Sequence, residues 1–135
     1  SSKLTECAIN EINSQKYDFI CLNFANTDMV GHTGDFKAVV NAVEKVDKCL
    51  DKIVKACKKN NYVIVVIADH GNAEYMVNED GSINTSHTTN KVPIFVINSK
   101  FSKLKNGNLC DVAPTILSLM KINIPTDMTG KNLLS

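Results

Sequence analysis

The chain has 135 residues, enough for one domain with a real core, and its 44% hydrophobic and 21% charged residues are ordinary for a globular protein. A net charge of +1 without a basic run argues against nucleic acid or a membrane surface as the main partner. All 15 basic residues are lysine, so no planar guanidinium fork is available to grip a carboxylate or phosphate.

In chain order, residues 3–15 read as a helix with Leu4, Ala8, Ile9 and Ile12 on one face. Tyr17 to Phe24 reads as a strand, and a loop with two glycines, Gly31 and Gly34, follows. The clearest helix runs over 36–58, where Phe36, Val39, Val40, Val43, Val46, Leu50, Ile53, Val54 and Cys57 keep helical spacing. Asp35 is its expected N-cap, and Lys55, Lys58 and Lys59 suit the negative end of its dipole.

Asn60-Asn61 ends that helix. Tyr62 to Ala68 is apolar at nearly every position, the pattern of a central parallel strand covered on both sides. Residues 75–86 read as an excursion with a hairpin turn at Asp80-Gly81. Val92 to Ile97 is another strand, with Pro93 favouring an edge or the strand's first residue. A helix over 111–121 has Asp111 as N-cap and Pro114 in its first turn, and the tail 125–135 shows no period. This order predicts an α/β fold: a layered, mostly parallel sheet with helices on both faces.

Five cysteines, an odd number without a CxxC pair, indicate neither a disulfide framework nor a zinc ribbon and fit buried free thiols in a reducing cytoplasm. No apolar stretch is long enough to span a membrane, and the first residues do not read as a signal peptide.

All three histidines fall in three short polar patches: Asp28-Met29-Val30-Gly31-His32, Asp69-His70-Gly71-Asn72 and Ser86-His87-Thr88. Asp28 and His32 share a face if their segment is helical or tightly turned, and the bland reading is a surface pair or a helix cap. Asp69 and His70 follow a long apolar run, at the strand end where open α/β sheets bind ligands. His87 alone says little, since a lone histidine is more often surface or core than a ligand. Together the five form an oxygen and nitrogen ligand set suited to Mn2+, Zn2+ or Fe2+, and less well to Mg2+. Five exceed the need of one open catalytic ion, whereas two ions ~3.5–4 Å apart would use them, as in phosphoryl transfer. Glu74 is a candidate for support behind these ligands, and Ser86 and Thr88 for holding them in place.

The stretches Asn23-Phe-Ala-Asn-Thr-Asp-Met-Val-Gly-His-Thr-Gly34, Ala68-Asp-His-Gly-Asn-Ala-Glu74 and His87-Thr-Thr-Asn-Lys-Val-Pro93 resemble the cofactor-independent (2,3-bisphosphoglycerate-independent) phosphoglycerate mutases. Asp111-Val-Ala-Pro-Thr-Ile-Leu117 and Met128-Thr-Gly130 resemble that family's C-terminal end. The family belongs to the alkaline-phosphatase-like superfamily. The resemblance implies that Asp28, His32 and His87 bind one Mn2+, and that Asp69 and His70 bind a second. It implies a glycolytic isomerase that interconverts 3-phosphoglycerate and 2-phosphoglycerate through a phosphoserine.

Nothing in this sequence resembles the family's nucleophilic serine motif, its N-terminal aspartate ligand or its arginine-bearing transferase domain. The expectation is therefore that residues 1–135 are the C-terminal part of a metal-binding phosphatase domain. Such a piece should have an incomplete sheet with an edge open to association, and no mutase activity alone. The alternatives are another phosphomutase or phosphatase of the same superfamily, and a non-catalytic metal-binding module.

Overall fold

A computed structural model describes residues 1–101 and 103–135. The chain divides into two units, one of residues 1–62 and 70–92 and the other of residues 63–69 and 93–135.

The first unit carries three helices: α1 (Ser2–Ser14), α2 (Asn26–Gly31) and α3 (Phe36–Lys59). α3 begins as its sequence dictates, with the Asp35 carboxylate accepting from the Ala38 N–H at 2.9 Å. Both α1 and α2 pack on α3. The core of this unit collects Ala8 and Ile12 from α1, Val39, Cys49, Ile53 and Cys57 from α3, and Met76. Polar latches join the C-terminal ends of α1 and α3. The Gln15 side chain donates to Asn60 Oδ1 at 3.2 Å, and the Asn60 amide donates to Asn13 Oδ1 at 2.9 Å.

The expected apolar faces are only partly covered. Thr5 rather than Leu4 joins the buried stripe of α1, and Phe36, Val40 and Val43 on α3 are exposed. The strand expected over 17–24 does not form, because no ladder partner meets it among the described residues. Cys21 and Phe19 are consequently exposed. Cys7 and Cys110 are exposed too, which leaves Cys49 and Cys57 as the buried thiols.

The excursion turns where its sequence says. Val77 bridges Ile83 in antiparallel sense, and the Gly81 N–H donates to the Asn78 carbonyl at 2.9 Å. Gly81 has φ +82°, in the left-handed region that glycine enters without strain. The Asp80 carboxylate caps the turn, accepting from the Ser82 N–H at 2.9 Å and from its hydroxyl at 2.6 Å.

The second unit holds β1 (Ile64–Ile67), β2 (Ile94–Ile97) and α4 (Val112–Leu119), the last entered through a single 3-10 turn, Leu109–Asp111. β1 and β2 pair antiparallel, Ile64 opposite Ile97 and Ile67 opposite Ile94. This corrects the expected parallel pairing. A parallel pair needs a crossover, usually a helix, and no helix lies between β1 and β2. β1 is not covered on both sides either: Ile64 is buried, but Ile67 is exposed. The layered sheet with helices on both faces is thus reduced to a two-stranded ribbon among the described residues.

The aperiodic tail is tied to α4 by polar atoms. Thr115, fully buried, donates from its hydroxyl to the Asp111 carbonyl at 2.7 Å and accepts the Leu133 N–H at 3.0 Å. Asp111 does not cap α4 with its side chain, as its position suggested. Its carboxylate turns back instead, accepting the N–H groups of Asn108 at 2.7 Å and Lys131 at 2.6 Å. Those two donors hold the Asp111 carboxyl below the usual carboxylate range. Leu133 and Leu134 complete the packing, and Leu134 bridges Leu104.

Candidate metal centre

The short helix α2 decides the geometry of the first patch. It places Asp28 and His32 one turn apart, so both side chains leave the same face. Asp28 Oδ1 lies 3.2 Å from His32 Nε2 and 2.9 Å from His87 Nε2. The two imidazole nitrogens are themselves 3.2 Å apart. Ligands ~2.1 Å from one cation lie ~3 Å apart at right angles and ~3.4 Å apart at the tetrahedral angle. Two edges of this triangle, at 3.2 Å, fall in that range and the third, at 2.9 Å, lies at its lower edge.

The protonation pattern points the same way. His32 Nδ1 lies 2.6 Å from the Thr85 carbonyl, which can only accept, so in the neutral ring Nδ1 carries the proton and Nε2 offers a lone pair. His70 Nδ1 faces the Gly71 carbonyl at 3.3 Å, with the same consequence for its own Nε2. Lone pairs of a carboxylate and imidazoles crowded into one small triangle need a proton or a cation between them. A carbonyl behind a histidine is also the usual way a protein orients a metal-binding ring. On these grounds Asp28, His32 and His87 fit a divalent ion, and their partial exposure leaves the site open on one side.

His70 borders the triangle. Its Nε2 is 3.9 Å from Asp28 Oδ1, and its ring stacks on that of His87 with centroids 3.7 Å apart and planes 20° apart. Asp69 follows β1 at once, in the second unit, and is not among the three residues whose ligand atoms converge. Of the five candidates, the structure therefore brings three into one cluster and sets a fourth beside it.

The sequence could not show the Thr85 carbonyl, because a main-chain acceptor leaves no mark in residue identity. Two glycines are more legible. A Cβ on Gly31 would strike the Asn72 side-chain amide, and one on Gly71 would strike Thr88 Oγ1 and Glu74 Oε1. Both positions are glycine because neighbours of the site occupy that space.

Comparison with known proteins agrees with this chemistry. A protein of Gracilaria tenuistipitata var. liui named 2,3-bisphosphoglycerate-independent phosphoglycerate mutase is 49% identical over 99% of this chain and 27% of its own length. Proteins of the same name from Flavobacterium psychrophilum and, as mutase 2, from Methanosarcina barkeri are 52% and 54% identical, each over 98% of this chain and 26% of their own length. A crystal structure of Leishmania mexicana phosphoglycerate mutase at low cobalt concentration superposes with a TM-score of 0.85 at 33% identity, covering 99% of this chain and 28% of that one. The chain thus spans about a quarter of the length of the curated relatives it matches, at 26% and 27%. A clustered carboxylate and imidazoles, on a sequence that the model of a metal-dependent family matches over residues 1–124, lead to one statement of kinship: the chain belongs to the Metalloenzyme superfamily.

Proposed function

We propose that this chain is the metal-binding part of a cofactor-independent phosphoglycerate mutase that interconverts 3-phosphoglycerate and 2-phosphoglycerate in glycolysis. The observation that carries the reading is the triangle of Asp28 Oδ1, His32 Nε2 and His87 Nε2, with edges of 2.9, 3.2 and 3.2 Å. The similarity to proteins of that name supports it.

In this reading Asp28, His32 and His87 hold one Mn2+, and His70 with Asp69 contributes to a second. Divalent cations so bound neutralise charge on a phosphoryl group and lower the pKa of a hydroxyl nucleophile. The chain's own residues do the holding. Asp28 supplies negative charge, the imidazoles supply neutral nitrogen, and the Thr85 carbonyl keeps the His32 ring turned toward the site. The absence of arginine fits a division of labour in which another part of the enzyme grips the substrate carboxylate. Five free thiols favour a reducing, cytoplasmic setting, and no helix among the described residues is long and apolar enough to cross a membrane.

The test is Mn2+ uptake by the 135-residue chain beside His32→Ala and His70→Ala. The expected result is one ion lost on His32→Ala and retained on His70→Ala. Uptake indifferent to His32→Ala, or no uptake by the unsubstituted chain, would overturn the assignment.

A further inference from the structure

Glu74 lies outside the triangle of ligand atoms, yet its carboxylate gathers donors from both sides of the site. It accepts the Asn72 N–H at 2.6 Å, the Asn90 side-chain amide at 3.0 Å and the Thr88 hydroxyl. Asn72 belongs to the turn that follows His70. Thr88 and Asn90 belong to the loop that carries His87. The main chain repeats the link, since the Thr88 N–H donates to the Gly71 carbonyl at 2.8 Å. Gly71 leaves the room in which Thr88 and Glu74 meet. Between these fastenings the rings of His70 and His87 stack.

We propose that Glu74 is a positioning residue: it clasps the His87 loop to the His70 turn and thereby sets the imidazole spacing at the Asp28–His32–His87 cluster. The proposal rests on the metal reading of that cluster. A carboxylate suits the task because its two oxygens can take three donors. Glutamine offers one oxygen and turns an NH2 group toward a donor. Partners behind a metal ligand commonly govern affinity although they touch no metal. Asp80 provides the internal comparison. It closes the neighbouring hairpin with two hydrogen bonds of its own, both to Ser82.

The experiment is an Mn2+ titration of the 135-residue chain and of Glu74→Gln, Glu74→Ala and Asp80→Asn, with folding checked by far-UV circular dichroism. In the same samples before metal is added, the ring resonances of His70 and His87 are followed by NMR. Affinity is expected to fall about 10–100-fold in Glu74→Ala, less in Glu74→Gln, and not in Asp80→Asn. The ring resonances should shift in the Glu74 variants alone, as the stack loosens. Unchanged affinity with unchanged rings in both Glu74 variants would overturn the clasp, and so would equal weakening by Asp80→Asn. If the unsubstituted chain takes up no Mn2+, the proposed function fails by itself, and the ring resonances of the metal-free chain then decide the clasp.

Discussion

Thr115 shows how much one side chain can organise when it is buried and doubly bonded. Its hydroxyl gives its proton to the Asp111 carbonyl and receives the Leu133 N–H, with no exposure to water. Thr115→Val keeps the shape and removes both bonds, leaving the Leu133 donor without this partner in an apolar setting. We expect a cost of about 1–3 kcal/mol, the usual penalty for orphaning a buried polar group. Urea unfolding measures it, and a loss below about 0.5 kcal/mol would mean the tail is not held there. Nothing in the sequence marks Thr115, because it sits in a helical run and its second partner lies 18 residues on. The metal candidates were legible for the opposite reason. Aspartate and histidine have few packing uses next to apolar runs, so their identity alone raised the question of chemistry. Which of the five converge, how far apart their ligand atoms lie and that the Thr85 carbonyl backs His32 needed coordinates.

At the scale of elements, local physics was readable and non-local pairing was not. α3 is written by its 3.6-residue period and by Asp35 ahead of it, and it forms where expected. Asp35→Ala should cost about 1 kcal/mol by freeing the Ala38 N–H, a typical N-cap loss. Thermal unfolding followed at 222 nm checks this, and an unchanged midpoint would show that the cap is redundant. The strands fared differently. Tyr17 to Phe24 has strand composition, but a strand exists only where a neighbour supplies its hydrogen bonds, and sequence does not name the neighbour. The segment between the strands reads as a hairpin excursion and forms one, but the overall alternation of strands and helices suggests a parallel sheet; with no crossover helix between them, β1 and β2 pair antiparallel.

For the whole molecule, the acid limb of stability should bear the signature of Asp111. Its carboxyl titrates below the ordinary 3.8 because the N–H groups of Asn108 and Lys131 favour its charge. The native state therefore holds the charged form more firmly than the unfolded chain does. That contribution is complete above pH 3.8 and is lost as pH falls below it toward the depressed native value. Asp111→Asn should be less stable at neutral pH and should lose less on further acidification. Unfolding midpoints over a pH series test this, and parallel curves for the two proteins would count against it.

The contact between Asp28 and His87 reaches across 59 positions of sequence. A cation gripping both ends would act as a removable cross-link, narrowing the conformations open to everything in between. Occupancy would then stiffen the stretch from Asp28 to His87, β1 included, so that chelation would loosen this stretch before the tail that Thr115 and Asp111 hold.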